Sequence, residues 1–255
     1  MAGVISAAEE TMIELSSGLS ARQVAKLIRQ LRAEGADPAL KGRPWKLGFE
    51  DRVLVATYWR TNLTMRQIAV LFGTSKSATD RIIDDLAPKL ALRPRKRYAP
   101  ETVLIVDGTL VPTRDHQVAA PSKNYRYSTN HQVVIHADTQ LVVAVGTTLP
   151  GNRNDCKAFG ESGVDHATRT ATVIADGGYP GTRAVIPHRR KHKDEPLVEW
   201  KEEHNACHRR VRARIEHTFA AMKHWKTMRD CRLRGTGVAE AVSGIARLHN
   251  LTLAS

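Results

Sequence analysis

The sequence predicts an all-α segment followed by an α/β domain. Apolar residues recur at three- and four-residue steps up to about residue 90 and then, from Glu101 onward, in short β-branched runs. The ten residues between, Ala-Leu-Arg-Pro-Arg-Lys-Arg-Tyr-Ala-Pro at 91–100, combine two prolines with four cations, which disfavours helix and keeps the segment solvated. After them strands come first and helices later, the pattern of a mixed domain of about 155 residues. These observations divide the chain into a helical segment at 1–44, a tri-helical unit at 45–92, a basic proline-containing linker at 93–100 and an α/β domain at 101–255.

In the first segment Val24, Leu27, Ile28 and Leu31 have helical spacing, stopped by Gly35 and Pro38. Phe49 to Trp59 reads as a helix with Phe49, Val53 and Ala56 on one face. Thr64 is placed to cap a second helix carrying Ile68, Leu71 and Phe72; Gly73 supplies a turn, and Thr74 caps a third helix with Ala78, Ile82, Ile83 and Leu86 inward. Three helices with a short glycine-containing turn before the last form a helix-turn-helix. Its outward residues are Ser75, Lys76, Ser77, Thr79 and Arg81, hydroxyls and cations suited to phosphates and base edges. Beyond the linker, Val103–Val106, His131–His136, Leu141–Val145 and Thr172–Ala175 are the expected strands, and about 207–227 and 238–251 the expected helices.

The 39 Lys and Arg outnumber the 26 Asp and Glu, leaving a net charge of +13 over 255 residues. Such a surplus favours a polyanionic partner, because Lys and Arg displace the counterions condensed on nucleic acid. It is concentrated in two places: residues 1–100 hold 17 basic against 10 acidic residues, and 187–234 hold 14 against 7. No apolar run approaches the ~18–20 residues that span a bilayer, and the acidic N-terminus lacks the features of a secretory signal. Three cysteines make no disulfide framework. A soluble, cytoplasmic, nucleoid-associated protein with no membrane partner is the expectation.

Two strands end in the same grammar, VLIVDG and TVIADG, at Asp107 and Asp176. If the strands are neighbours, the two carboxylates lie side by side at the carboxyl edge of the sheet. They would repel, and one would take up a proton, unless a cation neutralised them. A hard divalent ion, Mg²⁺ in particular, suits oxygen ligands. A third acid comes from the late helix, where Arg209, Arg212, Glu216 and Lys223 fall on one face at 100° per residue. Three carboxylates within a basic rim support two-metal hydrolysis or transfer at a phosphodiester. Taken singly, Asp-Gly is a common turn and Arg212–Glu216 a common i,i+4 pair; it is their co-occurrence that points to chemistry.

These residues resemble the DDE superfamily of bacterial insertion-sequence transposases, in the group related to Harbinger-type elements. The resemblance covers about 45–252 and rests on the helix-turn-helix, V-D-G at Asp107, P-G-N-R-N-D at 150–155, A-D-G-G-Y at Asp176, the R-x-x-x-E-x-x-x-x-x-x-K spacing across Arg212, Glu216 and Lys223, and A-R-L-H-N-L at 246–251. Arg209 stands where related signatures often carry tyrosine. What the resemblance implies is a ribonuclease H-like catalytic domain behind the helix-turn-helix. Asp107, Asp176 and Glu216 would be its catalytic and metal-binding triad, and Arg212 and Lys223 would engage DNA. Two Mg²⁺ ions, replaceable by Mn²⁺, are the expected cofactors; double-stranded DNA, as element ends and target, is the expected partner, with a homo-oligomer working on it. The alternatives are a non-catalytic DNA-binding protein derived from a transposase and a metal-dependent nuclease or phosphatase without strand joining.

Other signals carry less. His188/His192 and His204/Cys207/His208 have spacings zinc accepts, without a complete tetrahedral set. The glycines at 177, 178 and 181 form no nucleotide loop. Trp200 and Trp225 suit core packing better than stacking on flipped bases.

Overall fold

The computed structural model describes residues 3–38, 44–95, 97–99, 101–122, 126–190 and 196–254; Lys96 and Pro100 of the expected linker lie outside them. The chain packs as two compact units, Met1–Ala91 with Lys223–Ser255, and Leu92–Met222. Residues 223–255, assigned from sequence to the α/β domain, thus pack with the N-terminal helices.

In the first unit, α1 (Glu10–Ser17) and α2 (Ala21–Ala33) precede α3 (Phe49–Ala56), α4 (Met65–Leu71) and α5 (Lys76–Leu90). The expected 49–59 helix stops at Ala56 and tightens into a 3₁₀ turn at Tyr58–Arg60. Thr64 caps α4 through a reciprocal capping box with Gln67. The cap of α5 is Ser75 rather than Thr74: the Ser75 side chain accepts from the Ala78 N–H. Gly73, at φ 60°, makes the turn between them. Residues from the far end of the chain complete the unit. The late helix Gly237–Leu253 lays Gly244 on Trp59, where a Cβ would meet the indole ring at 2.3 Å. Arg247, 9% exposed, binds Glu34 at 2.8 Å and the Lys89 carbonyl at 3.1 Å, and the Trp225 indole N–H donates to the Ser17 carbonyl.

The second unit is a mixed sheet. Strand β1 (Val103–Pro112) pairs antiparallel with β3 (Tyr127–His136), which pairs antiparallel with β4 (Val142–Val145); on its other side β1 pairs in parallel with β6 (Thr172–Ile174). Short strands β2 (Ala120–Pro121) and β5 (Leu149–Pro150) pair with the start of β3. Helices α6 (Asp155–Glu161) and α7 (Val164–Ala167) follow β5, and α8 (Glu199–Met222) follows β6; the late helix of the first unit is α9. The order β4-β3-β1-β6, with only β6 parallel to its neighbour, is that of a ribonuclease H-like sheet. Leu104, Val106 and Val134 on one face join Phe159, Val173 and Tyr179 in a buried core. Among the described residues no helix is long and apolar enough to cross a membrane.

His131 in β3 is wholly buried, and burial depresses its imidazole from 6.5 to about 4. A depressed histidine contributes stability that is full above pH 6.5 and is lost as pH falls toward 4, here by up to roughly 3 kcal/mol. Urea unfolding at pH 7 and pH 4.5 should show this loss, and His131→Gln should make it smaller; an unchanged slope in the variant would assign the acid sensitivity elsewhere.

Candidate active site

The parallel pairing of β1 with β6 leads to the first pair of acids. Leu104 lies opposite Val173 and Ile105 opposite Ile174; Asp176 follows two residues after the end of β6, close enough for its carboxylate to act on Asp107. Asp107 itself is an interior residue of β1, not a strand end as the sequence suggested, because β1 runs on to Pro112 while β6 stops at Ile174. The shorter strand leaves the β1 edge open at the level of Asp107.

Helix α8 supplies the third acid. The segment after β6 anchors it: the Val185 N–H donates to the Val173 carbonyl, the neutral imidazole of His208 donates through Nε2 to the Val185 carbonyl at 3.2 Å, and the Asn205 side chain closes two hydrogen bonds with the His188 backbone. Arg214 donates to the Ala137 carbonyl beside β3. Held this way, α8 directs Arg212 at the sheet. Its guanidinium bridges two of the expected acids, donating to Asp107 Oδ2 at 3.1 Å and to Glu216 Oε1 at 2.5 Å.

The electrostatics concentrate negative charge around Asp107. Burial, then the neighbouring Asp176 carboxylate, pushes the Asp107 carboxyl from 3.8 up to about 6; the Gly108 N–H and Arg212 act in the opposite sense, and Asp155 adds to the rise. The donor set is all carboxylate oxygen, which suits a hard divalent ion. Glycines leave it room, since a Cβ at Gly178 would come within 2.8 Å of Asp176 Oδ1 and one at Gly108 within 2.4 Å of Asp155 Oδ1.

The transposase DDE domain family matches residues 98–251, and the helix-turn-helix of DDE superfamily endonucleases matches residues 45–96. The chain belongs to the DDE transposases. A protein of Streptomyces albus G named as a transposase for insertion sequence element IS112 is 67% identical over 99% of each chain. One of Microchaete diplosiphon, named as a transposase for insertion sequence element IS702, is 27% identical over 81% of each. Among solved structures, a piggyBac transposase synaptic complex with hairpin DNA aligns at TM-score 0.47 and 10% identity over 94% of this chain and 73% of that one. The two family matches and the 67% identical relative make the protein an insertion-sequence transposase of the DDE superfamily, with a helix-turn-helix ahead of its DDE domain.

In this transposase the helix-turn-helix residues are not equivalent. Ser77 and Arg81 are exposed at the start of α5, as are Ser75 and Lys76, although Ser75 is occupied as the helix cap and Lys76 pairs with Asp80. Thr79 is the correction. It is fully buried and returns its hydroxyl to the Ser75 carbonyl, since the packing of α5 turns it inward with Ile82 and Ile83. On α8, Arg209 is exposed; Lys223 is partly buried and follows the last helical residue, Met222.

Sequence reasoning passed over Asp155, Gln132, Asn130 and Tyr179. Tyr179 Oη donates to Gln132 Oε1 at 2.6 Å, and Gln132 Nε2 donates to Asp155 Oδ1 at 3.2 Å. Two of them had a sequence signal, Asp155 as the last residue of P-G-N-R-N-D and Tyr179 as the last of A-D-G-G-Y. The zinc-like spacing resolves partly: His188 packs on His204 at 4.9 Å and His204 on His208 at 6.2 Å between ring centroids, while His192 lies outside the described residues. Among the described residues no group of three His, Cys, Asp or Glu side chains is arranged as a metal site, and the acids here converge through Arg212 and the open β1 edge.

An acid with a raised folded-state value loses stability as pH climbs from about 4 to about 6, and the loss persists above that range. Asp107→Asn, in EDTA at pH 7.5, should therefore be more stable than wild type by roughly 1–2 kcal/mol, a few degrees in Tm. The difference should vanish below pH 4; thermal melts over this range would decide it, and a less stable variant would refute the assignment.

Proposed function

We propose that this transposase cuts the phosphodiester backbone at the ends of its insertion sequence and joins the freed 3′-hydroxyl to target DNA, with Asp107, Asp176 and Glu216 holding Mg²⁺. The observation that supports it best is the convergence at Asp107: the Asp176 carboxylate lies near enough to act on it, and Arg212 ties it to Glu216. A bound pair of divalent ions would polarise the attacking oxygen and stabilise the leaving one. In cleavage a P–O bond forms to water as the P–O3′ bond breaks; in joining, the 3′-hydroxyl is the attacking oxygen and a target strand oxygen leaves.

The chain's own groups set the geometry. Asp107, rigid in a central strand, and Glu216, on a helix tied to the sheet, fix two sides of the site. Arg212, when its carboxylates turn to a cation, has its bidentate fork free for the scissile phosphate. Arg209 and Lys223 are each assigned to DNA phosphates, and the exposed start of α5, with Ser77 and Arg81, serves the recognition of end sequence. Reaction at two ends calls for at least a dimer on the DNA, and the substrate places the protein in the cytoplasm at the nucleoid.

Labelled duplex carrying the element's ends should be nicked with Mg²⁺ or Mn²⁺. Asp107→Asn should lose nicking by at least about a hundredfold and retain duplex binding in a gel-shift. Tight binding by both proteins without cleavage under either metal would favour a DNA-binding protein that no longer cuts.

A further inference from the structure

Asp155 has no part in the triad, yet the fold carries it to the same place. Successive residues of a strand face opposite sides, so Asp107 and Gly108 look to opposite faces of the sheet. Asp155, the first residue of α6, comes up beneath Gly108: a Cβ there would sit 2.4 Å from Asp155 Oδ1. Only glycine at 108 lets a carboxylate approach β1 this closely at the level of Asp107. Beyond Ile174 β6 ends, which leaves the edge of β1 open, and Asp176 follows two residues later. Over Gly178 a Cβ would lie 2.8 Å from Asp176 Oδ1 and 3.6 Å from Asp155 Oδ2, so both acids border one small space.

The two oxygens of Asp155 are used differently. Oδ1 accepts from Gln132 Nε2 at 3.2 Å and Asn130 Nδ2 at 3.4 Å, both from buried side chains. Oδ2 is the oxygen on the Asp176 side. Among the described residues Arg212 pairs with Asp107 and Glu216, and no lysine or arginine pairs with Asp155 or Asp176. Two neighbouring carboxylates, one of them anchored by a buried amide network, are thus left without the cation that their repulsion calls for.

We propose that Asp155 is a fourth carboxylate of the metal site, its Oδ1 fixed by Gln132 and Asn130 and its Oδ2 presented with Asp176 to the same divalent cation. The assignment rests on the metal-dependent reading of the Asp107–Asp176–Glu216 site. It also gives the P-G-N-R-N-D segment a chemical role. Asn154 caps α6 by accepting from the Lys157 N–H, which fixes the helix start and hence the aspartate.

The test is Mn²⁺ binding by the full-length protein without DNA, followed by electron paramagnetic resonance and by the Mn²⁺-induced rise in Tm. Asp155→Asn keeps the Oδ1 acceptor and the side-chain shape, so the metal-free Tm should stay within a few degrees of wild type while Mn²⁺ affinity falls tenfold or more. Gly108→Ala, whose methyl displaces the Asp155 carboxylate, should weaken Mn²⁺ in the same direction; Glu101→Gln, an exposed acid at the start of the domain, should not. Wild-type affinity in Asp155→Asn alongside weakened binding in Asp107→Asn would overturn the role of Asp155 and leave the triad standing. No Mn²⁺ binding by the wild-type protein would overturn the metal reading of the triad and of Asp155 together.

Discussion

The nuclease-type unit is organised around one electrostatic constraint: carboxylates held close together in a partly buried place repel one another. The parallel pairing of β1 with β6 leads the chain to Asp176 near Asp107, and burial makes it more costly by removing solvent from Asp107. Much of the surrounding architecture offsets this cost or uses it. The strongly raised Asp107, the glycines at 108 and 178, the buried amides of Asn130 and Gln132 and the guanidinium of Arg212 are all answers to concentrated negative charge. Sites that perform chemistry commonly retain such locally unfavourable arrangements, stabilised by the rest of the fold.

Arg212 is the internal answer. Its planar fork satisfies Asp107 and Glu216 at once, a geometry a lysine would not reproduce. The same bridge ties α8 to β1, so the counter-ion also serves as a positional device for the third acid. The arrangement depends on the loop after β6, because Val185, His188, Asn205 and His208 fix the helix through backbone hydrogen bonds that only a correctly placed α8 can make.

The helical unit follows a different logic. Its core is apolar, and its completeness requires both ends of the chain. Gly244 lets α9 rest on the indole of Trp59, and Arg247 satisfies Glu34 and the end of α5 together. The N-terminal segment, which carries no motif of its own, therefore contributes structurally through α1 (Glu10–Ser17) and α2 (Ala21–Ala33). The exposed start of α5 is held from behind by this packing, which presents Ser77 and Arg81 on a rigid helix.

Local chemistry in the sequence was enough for the helix-turn-helix, the Thr64 cap and the strand cores, because capping and periodicity act over a few neighbours. Whatever depends on distant partners was settled by packing. Thr79 has the composition of a contact residue, yet the helices packed against α5 turn it inward; Asp107 looks like a strand end, yet pairing with β3 extends β1 past it to Pro112. Helical spacing put Arg212 beside Glu216 but gave no sign that its guanidinium also reaches Asp107, 105 residues away. Asp155 and its amides come from a turn and a strand that meet only when the sheet forms, and the last 33 residues joined the N-terminal unit through packing that no local pattern encodes. The order of residues alone specified which chemical groups were available and the elements that carry them. Their convergence at one edge of the sheet came from strand pairing and helix docking, since these are set by contacts between residues far apart in the chain.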